Sequence, residues 1–333
     1  MPAAEEVTSL MENLTSQMRH RANQFTGPVL AQTSPNPAES WFGSGVRVEI
    51  NGRYFVATAA HVVEDGRAVL PTHGLGQDDW DRVESIWAGQ NPTLDVAWME
   101  VTPGPAFRSE EWLPLDFIGL EAGLLERDLL VLLLGYPGEY WDLNQEARTL
   151  FSEAICFPSS TVSVVGADAG HLLSVDLPPG HELHGRGITS DEIPGNERVP
   201  LRGPGWSRVF RVLSQENDLL VPYPLDVVAR GPDGTEVAVD VPKPDGLSGS
   251  GVWAFGANPG TTSWRPEHGR LVGILRTYAA DGAHFLHPQD LARHSPCGVL
   301  YATRVEHALK LLANSVEELR PAIEVRLRQL AAT

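Results

Sequence analysis

Three short segments of the chain carry side chains that can act together in nucleophilic catalysis. His61 lies in TAAHVV, Asp95 in LDVAW and Ser248 in DGLSGSGVW. Hydrolysis by a serine needs a hydroxyl beside a neutral imidazole, a carboxylate that fixes the imidazole tautomer, and main-chain donors directed at the developing oxyanion. These three residue types therefore predict acyl-transfer chemistry, provided that the fold brings them together.

Each segment has local features that suit its part. A strand after a tight turn delivers His61 to a short helical turn, and Asp95 stands at the mouth of an apolar strand, where an unpaired carboxylate is costly. Glycine at 246 lets the amides of Gly246 and Ser248 point into one cavity, as an oxyanion hole requires. Taken singly, the three segments also fit a structural histidine, an edge aspartate and a flexible Gly/Ser turn.

Two alternatives use the same glycine-rich segment. Ser250 is the neighbouring candidate nucleophile, but a glycine two positions upstream fits Ser248 and not Ser250. A G-x-S-x-G elbow of an α/β-hydrolase would use the order Ser, Asp, His, with Asp281 or Asp290 and then His294. The fifth elbow position is serine rather than glycine, and the upstream sequence lacks the alternating strands and long helices of a parallel sheet. Both features argue against that class.

Short strands separated by glycine and proline turns dominate the middle of the chain. Alternation over 46–50, the pair Asn51-Gly52 and a second alternating stretch over 54–58 predict a hairpin. Further strands are predicted at 85–88, 96–101, 129–134, 161–165, 172–175, 209–213, 225–228, 236–239, 252–254, 271–277 and 299–303. This pattern predicts an all-β barrel or sandwich.

Helical periodicity marks the two ends. Apolar residues recur at helical spacing over about 7–24 and again over 305–330, where Pro321 predicts a break between one helix and the next. We expect these terminal helices to pack on the barrels, with recruitment of a partner protein as the alternative. Between 166 and 205 the chain is rich in Gly, Pro, His and charge without a sustained period, which predicts a long surface excursion.

The composition narrows the class of protein. The formal charge of −18 repels phosphate backbones and argues against a nucleic-acid partner. No stretch reaches the roughly 18 to 20 apolar residues that span a bilayer, and the first 25 residues lack a signal-peptide core, so we expect no membrane partner. Cys156 and Cys297 are the only cysteines, and so low a number favours a cytoplasmic location. The two thiols could still form a disulfide. Neither has a nearby cysteine or histidine companion, which argues against a zinc site. No metal, nucleotide or redox cofactor is implied.

Taken in order, TAAHVV, LDVAW and GLSGSGVW resemble the three triad segments of chymotrypsin-like serine proteases, especially bacterial members such as the heat-shock serine proteases. Supporting segments are GSGV before the hairpin, VLLLGYP, LVGI, and GVLY before the terminal helix, and the resemblance spans 40–312. It implies a double β-barrel in which His61, Asp95 and Ser248 form the catalytic triad and the amides of Gly246 and Ser248 form the oxyanion hole.

The same resemblance implies a division of the chain. We expect an N-terminal helix over 1–26, a first barrel over 27–122, a second barrel over 123–303 with an insertion at about 140–205, and a C-terminal helical segment over 304–333. His61 and Asp95 would belong to the first barrel and Ser248 to the second.

The resemblance also places a substrate pocket, with Arg276, Thr277, Tyr278 and Gly298 at its walls. Arg276 stands where a small polar residue is more usual. Its side chain would either project into the pocket or point to solvent, and the strand register decides between the two because side chains alternate between the faces of a sheet.

Near the expected pocket base stands Pro242, six residues before Ser248, with no acidic side chain at that position to select Arg or Lys at P1. A small or apolar P1 residue is therefore favoured, with selection of an acidic or amide side chain by Arg276 or His284 as the alternative. Leu247 occupies the position where digestive proteases carry an aspartate that pairs with a newly cut N-terminus. Zymogen activation of that kind is therefore not expected.

By this resemblance, the expected function is that of a trypsin-like serine endopeptidase acting on protein or peptide substrates without a cofactor. The alternative is a protease fold that is inactive, or held inactive, and acts as a binding module or scaffold in a bacterial regulatory assembly through its terminal helices.

Overall fold

A computed structural model describes most of the two ends and the central strands of the chain. The described residues are 4–31, 41–63, 68–69, 86–91, 94–102, 109–120, 129–144, 149–161, 172–177, 207–212, 217–224, 227–230, 236–239, 241, 243–256, 259, 261, 263–279 and 297–332. Pro242, His284 and the alternative triad candidates Asp281, Asp290 and His294 lie outside the described residues.

The first large sheet follows directly on an N-terminal helix, α1, which spans Ala4–Phe25. Its strands are β1 Thr26–Ala31, β2 Trp41–Ile50, β3 Arg53–Thr58, β4 Ala68–Val69, β5 Ile86–Asn91, β6 Val96–Val101 and β7 Leu113–Pro114. The spatial order is β4-β1-β2-β3-β6-β5 with antiparallel neighbours, and β7 pairs parallel with β2. Asn51 and Gly52 have φ values of 53° and 76°, which are the positive angles that the predicted tight turn between β2 and β3 requires.

The second large sheet uses six of the later strands. These later strands are β8 Leu130–Gly135, β9 Trp141–Asn144, β10 Thr149–Ser152, β11 Ile155–Ser160, β12 Leu172–Leu177, β13 Ser207–Val212, β14 Asp218–Pro224, β15 Val227–Arg230, β16 Glu236–Val239, β17 Gly251–Ala254, β18 Arg270–Ala279 and β19 Cys297–Arg304. The sheet has the antiparallel order β11-β8-β17-β18-β19-β14. The other strands form the two-stranded pairs β9-β10, β12-β13 and β15-β16.

The two edge strands of the second sheet, β11 and β14, are not indicated by the sequence pattern. β11 contains Pro158, and β14 contains Pro222 and Pro224. Proline lacks the N–H that a ladder needs, so it is confined to edges, and it masks the alternating pattern of a strand. The Ser159 hydroxyl of β11 donates to the Pro222 carbonyl of β14 at 3.2 Å, so the two edges meet and the sheet curls toward a barrel.

The range 140–205, expected to hold an insertion, therefore contributes a strand to the second sheet, namely β11. Within the expected excursion, β12 pairs with β13. The strand predicted over 161–165 lies outside the described residues after Thr161.

The terminal helices pack on the sheets, as predicted. Met18 and Phe25 of α1 are 0% and 2% exposed, and the Phe25 ring stacks on Trp253 of the second sheet with ring centroids 6.1 Å apart. The C-terminal helix α2, Val305–Ser315, accepts a 2.7 Å hydrogen bond at Ala308 O from the indole N–H of the buried Trp98 in the first sheet. Burial of each such large side chain contributes roughly 1.5 to 3 kcal/mol.

The break between the C-terminal helices differs in position from the prediction. α2 ends before Val316, a 3₁₀ turn follows over Glu317–Leu319, and α3 spans Arg320–Ala331. Pro321 lies in the first turn of α3, where a missing N–H costs no helical hydrogen bond, so it begins a helix instead of breaking one.

The predicted fold class, an all-β double barrel with helices at both ends, is confirmed by the two curled antiparallel sheets and the flanking helices. Short 3₁₀ turns complete the described elements, at Ala60–Val62, Ser109–Glu111, Leu115–Phe117, Gly138–Tyr140 and Pro266–His268. In the described part of the chain, no helix combines the length and the apolar character needed to cross a membrane.

Candidate active site

His61 and Asp95 are in direct contact at the end of the first sheet. β3 ends at Thr58, and the 3₁₀ turn Ala60–Val62 presents the imidazole. His61 Nδ1 lies 2.7 Å from Asp95 Oδ2, and the His61 main-chain N–H donates to Asp95 Oδ1 at 3.0 Å. An ionised carboxylate only accepts hydrogen bonds, so the pairing assigns the proton to Nδ1 and leaves Nε2 able to act as a base.

The main chain at Asp95 has an uncommon conformation. Its φ is 51°, in the left-handed region that few non-glycine residues adopt. The preceding carbonyl, Leu94 O, accepts a hydrogen bond from the hydroxyl of Thr303 in β19. This buried threonine of the second sheet therefore holds the turn that presents the carboxylate. Sequence reasoning missed Thr303, because nothing local marks a contact between such distant parts of the chain.

Ser248 lies in the turn before β17, on the second sheet. Gly249 N–H donates to Leu275 O at 2.7 Å, and Leu275 N–H donates to Ser250 O at 2.8 Å, so this turn is attached to β18 on both sides of Gly249. Gly249 has a φ of 90°, and a Cβ there would collide with the Ser44 carbonyl. The turn therefore needs glycine at 249 both for its conformation and for its close approach to β2.

The Ser248 turn meets the His61 segment across Gly43 of β2. A Cβ on Gly43 would lie 2.6 Å from Val62 Cγ1 and 2.9 Å from Ser248 O. Val62, the residue after His61, and Ser248 thus lie against the same glycine. Among the described residues, the Ser248 hydroxyl hydrogen-bonds to Arg276 O, at 3.1 Å, and not to His61. The structure thus joins His61 to Asp95 directly, and Ser248 O lies against the same glycine as the side chain of Val62 while its hydroxyl bonds to Arg276 O.

The Gly246 amide has the setting of an anion-binding donor. Gly138 N–H donates to Asp245 O at 2.6 Å, and because a trans peptide is planar, the Gly246 N–H of that peptide points away from Gly138. Gly246 has a φ of 89°, and a Cβ there would lie 2.5 Å from Gly138 N. In the described part of the chain, neither the Gly246 nor the Ser248 N–H donates a hydrogen bond, so both amides remain available to a ligand.

Neither of the two orientations predicted for Arg276, into an open pocket or toward solvent, is found. The side chain is 1% exposed, and its Nη2 lies 2.7 Å from Oδ1 of Asp218, which is also buried. The register between β18 and β19 shifts at Arg276, between Leu275 and Thr277. A bulge redirects a side chain, which here forms an interior ion pair and does not project into an open pocket. Simple alternation along the strand could not predict this orientation.

The other predicted pocket residues lie together. Gly298 is covered by the ring of Tyr278, since a Cβ on Gly298 would lie 2.6 Å from Tyr278 Cζ. The Tyr278 ring also packs edge-on against Tyr223, with centroids 5.7 Å apart, and burial raises the pKa of both phenols. Thr277 is half-buried and pairs with Tyr301 of β19. Around Gly298, the predicted pocket is thus lined by aromatic rings, and the ring of Tyr278 fills part of it.

Both cysteines are free thiols, so the disulfide left open by the sequence is not formed. Burial raises the pKa of Cys156 to about 11 and also raises the pKa of Cys297. Among the described residues, no group of three or more His, Cys, Asp or Glu side chains could hold a metal ion.

No family model matches the chain, and neither does any curated protein sequence. Among solved structures, the chain is similar to the serine endoprotease from Yersinia pestis, with 13% identity and a TM-score of 0.44 over 91% of this chain and 66% of that one. It is also similar to the active form of a protease from M. tuberculosis, with 15% identity and a TM-score of 0.40 over 84% of each chain. The chain thus spans less than two thirds of the Yersinia protein.

Proposed function

We propose that the protein is a trypsin-like serine endopeptidase that cleaves peptide bonds through an acyl-enzyme, with His61, Asp95 and Ser248 as its triad. The observation that carries the proposal is the two-point contact of Asp95 with His61, by which one carboxylate fixes both the ring tautomer and the main chain of the histidine. The side chain of Val62, the residue after His61, and the carbonyl of Ser248 both lie against Gly43, which supports the role of Ser248 as the nucleophile.

In the proposed reaction, His61 Nε2 takes the proton of Ser248 Oγ as that oxygen attacks the scissile carbonyl, and then gives the proton to the leaving amine. Asp95 stabilises the imidazolium that forms in between. The amides of Gly246 and Ser248 donate to the oxyanion, and one such donor lowers the barrier by about 3 kcal/mol. Water then hydrolyses the acyl-enzyme by the same proton transfers in reverse.

A second candidate function is a protease held inactive until a partner or ligand engages it, in which case the chain acts as a regulated binding module. The Ser248 hydroxyl supports this candidate, because it donates to Arg276 O and not to His61. Breaking that one hydrogen bond to reorient the hydroxyl costs on the order of 1 kcal/mol, which engagement of the partner or ligand would supply.

For the substrate, we propose a protein or peptide with a small or apolar P1 residue. The Tyr278 ring over Gly298 supports this choice, since it narrows the predicted pocket and offers an apolar surface. The two free thiols support a reducing, cytoplasmic setting.

A fluorophosphonate probe tests the proposal, because it reacts with an activated serine without knowledge of the substrate. We expect the wild type to be labelled, and Ser248→Ala and His61→Ala to lose labelling. Ser250→Ala is the matched control, since it removes a neighbouring buried hydroxyl and should leave labelling intact. Labelling that survives Ser248→Ala would contradict the assigned nucleophile. Absence of labelling in the wild type under every condition would exclude a constitutively active protease.

A further inference from the structure

Ser44 of β2 contacts the glycine-rich turn from the other sheet. It is fully buried, at 0% exposure. Its hydroxyl accepts a hydrogen bond from Tyr136 N–H at 2.9 Å and donates one to Gly246 O at 3.1 Å. Its main-chain N–H donates to Ser248 O at 2.7 Å. One residue of the first sheet therefore contacts both residues whose amides would bind the oxyanion.

The Ser44 hydroxyl anchors the carbonyl end of the peptide between Gly246 and Leu247, and the N–H end of that peptide donates to Pro244 O at 3.0 Å. Gly246 has a wider range of accessible φ and ψ angles than other residues because it lacks a Cβ. Gly138 N–H fixes the peptide before its α-carbon, through Asp245 O, and the Ser44 hydroxyl fixes the peptide after it, through Gly246 O. Leu247 is 2% exposed and apolar, so its side chain gives the turn no polar anchor. The direction of the Gly246 N–H is thus set by contacts on both sides.

Position 44 needs a side chain that accepts one hydrogen bond and donates another. A hydroxyl does both, whereas alanine would leave Tyr136 N–H and Gly246 O facing a buried site without a partner. Tyr136 is itself held in place, because its hydroxyl donates to Asn23 Oδ1 of α1 at 3.2 Å. Burial raises the pKa of Tyr136 to about 12, so the phenol keeps its proton and can donate at neutral pH.

We propose that Ser44 is a positioning residue for the oxyanion hole: its hydroxyl links Tyr136 N–H to Gly246 O and so keeps the Gly246 amide directed at the substrate carbonyl. The inference rests on the proposed protease function. It assigns to β2 of the first sheet a part in aligning a donor that belongs to the second.

The test compares Ser44→Ala with Ser159→Ala by fluorophosphonate labelling. Both changes remove a serine hydroxyl that donates to a main-chain carbonyl, but Ser159 bonds to Pro222 on the outer edge of the second sheet. We expect Ser44→Ala to lower the maximal labelling rate about tenfold or more, since misdirecting one oxyanion donor mainly affects the transition state. The half-saturating probe concentration should stay unchanged, as should both parameters in Ser159→Ala. Ser44→Cys, which keeps a weak donor of similar shape, should be intermediate.

Two further readouts separate positioning from folding. Circular dichroism and urea denaturation give the folded fraction of each variant, and reversible unfolding lowers the labelling rate only in proportion to that fraction, so a larger loss of rate reports the site. Hydrogen exchange of the peptide covering 243–250 should accelerate in Ser44→Ala and not in Ser159→Ala. Wild-type rates in Ser44→Ala, or unchanged exchange in this segment, would overturn the Ser44 inference while leaving the protease proposal standing. A wild type that is never labelled would overturn both.

Discussion

The Ser248 hydroxyl donates its hydrogen bond to the main-chain carbonyl of Arg276, at 3.1 Å. The side chain of the same arginine is anchored in the interior by Asp218, so the accepting carbonyl belongs to a firmly held bulge of β18. For the proposed reaction, this contact defines a resting orientation of the nucleophile. Attack would begin when the hydroxyl leaves this carbonyl, so that His61 can take its proton.

Asp218→Ala should destabilise the fold by about 3 to 5 kcal/mol, because it leaves the buried guanidinium of Arg276 without its carboxylate. Urea denaturation measures the change. The double variant Asp218→Leu/Arg276→Met should recover most of the loss, since a buried ion pair can be replaced by apolar side chains of similar volume. Glu318→Gln serves as a control. That residue's contact with Arg53 is 3.6 Å long and its side chain is 78% exposed, so its loss should cost under about 0.5 kcal/mol.

Asp95→Asn should lower the labelling rate by about 10³- to 10⁴-fold while the fold is retained. The amide can donate to Nδ1 and so favours the wrong imidazole tautomer, with the proton on Nε2. Stopped-flow or timed labelling with the fluorophosphonate measures the rate, and circular dichroism checks the fold. Asp116→Asn, a change on the exposed Leu115–Phe117 turn, should have no effect. An equal loss in both variants would show that the effect is not specific to the triad.

Gly246→Ala and Gly52→Ala form a matched pair, since both residues have positive φ values, of 89° and 76°. A Cβ on Gly52 meets open space, whereas a Cβ on Gly246 would lie 2.5 Å from Gly138 N. Gly52→Ala should therefore cost only the conformational strain, about 1 to 2 kcal/mol, and leave labelling unchanged. Gly246→Ala should in addition reduce labelling about 100-fold, by displacing an oxyanion donor. Similar labelling of the two variants would contradict the role given to Gly246.

Tyr278→Ala should broaden the P1 preference toward larger side chains. Removing the ring that covers Gly298 opens the predicted pocket, and each added methylene accommodated there is worth about 10-fold or more in kcat/KM. A peptide library with every P1 residue measures the profile, with Tyr278→Phe as the control that keeps the ring. If the alanine variant gives the wild-type profile, Tyr278 does not limit the pocket.

Stability should fall as the pH rises from about 9 to about 11, in part because of Cys156. Burial raises the pKa of this thiol from 9.0 to about 11. In that window the unfolded state has released the proton that the folded state still binds, so raising the pH favours unfolding. The contribution is fully present below pH 9. Thermal melts at several pH values, compared with Cys156→Ala, measure it: the variant should show a shallower decline, and an identical slope would contradict the prediction.

Two residues of the proposed triad, His61 and Ser248, could be named from the sequence because each is tied to a local feature. His61 follows a hairpin marked by Asn51-Gly52, and the glycines around Ser248 are needed where the turn approaches β2. These signals are contained in a few consecutive residues, so they can be recognised before the fold is known.

The parts that could not be predicted depend on contacts between distant segments. Thr303 and Ser44 act through hydrogen bonds to Leu94 and Gly246, and in the sequence both look like ordinary strand residues. A polar side chain on the buried face of a strand indicates that a hydrogen bond is needed there, but the sequence does not show which residue is the hydrogen-bond partner. Arg276 depends on a bulge, and the strands β11 and β14 depend on the tolerance of sheet edges for proline.

The packing of both chain ends also sets the order in which the molecule can be completed. The apolar face of α1 is synthesised long before its buried partner Trp253, and Trp98 of the first sheet is synthesised 210 residues before Ala308, to which it donates a hydrogen bond. Until the later segments emerge, both surfaces lack the partners that bury them, and exposed apolar surface of this kind is prone to aggregation.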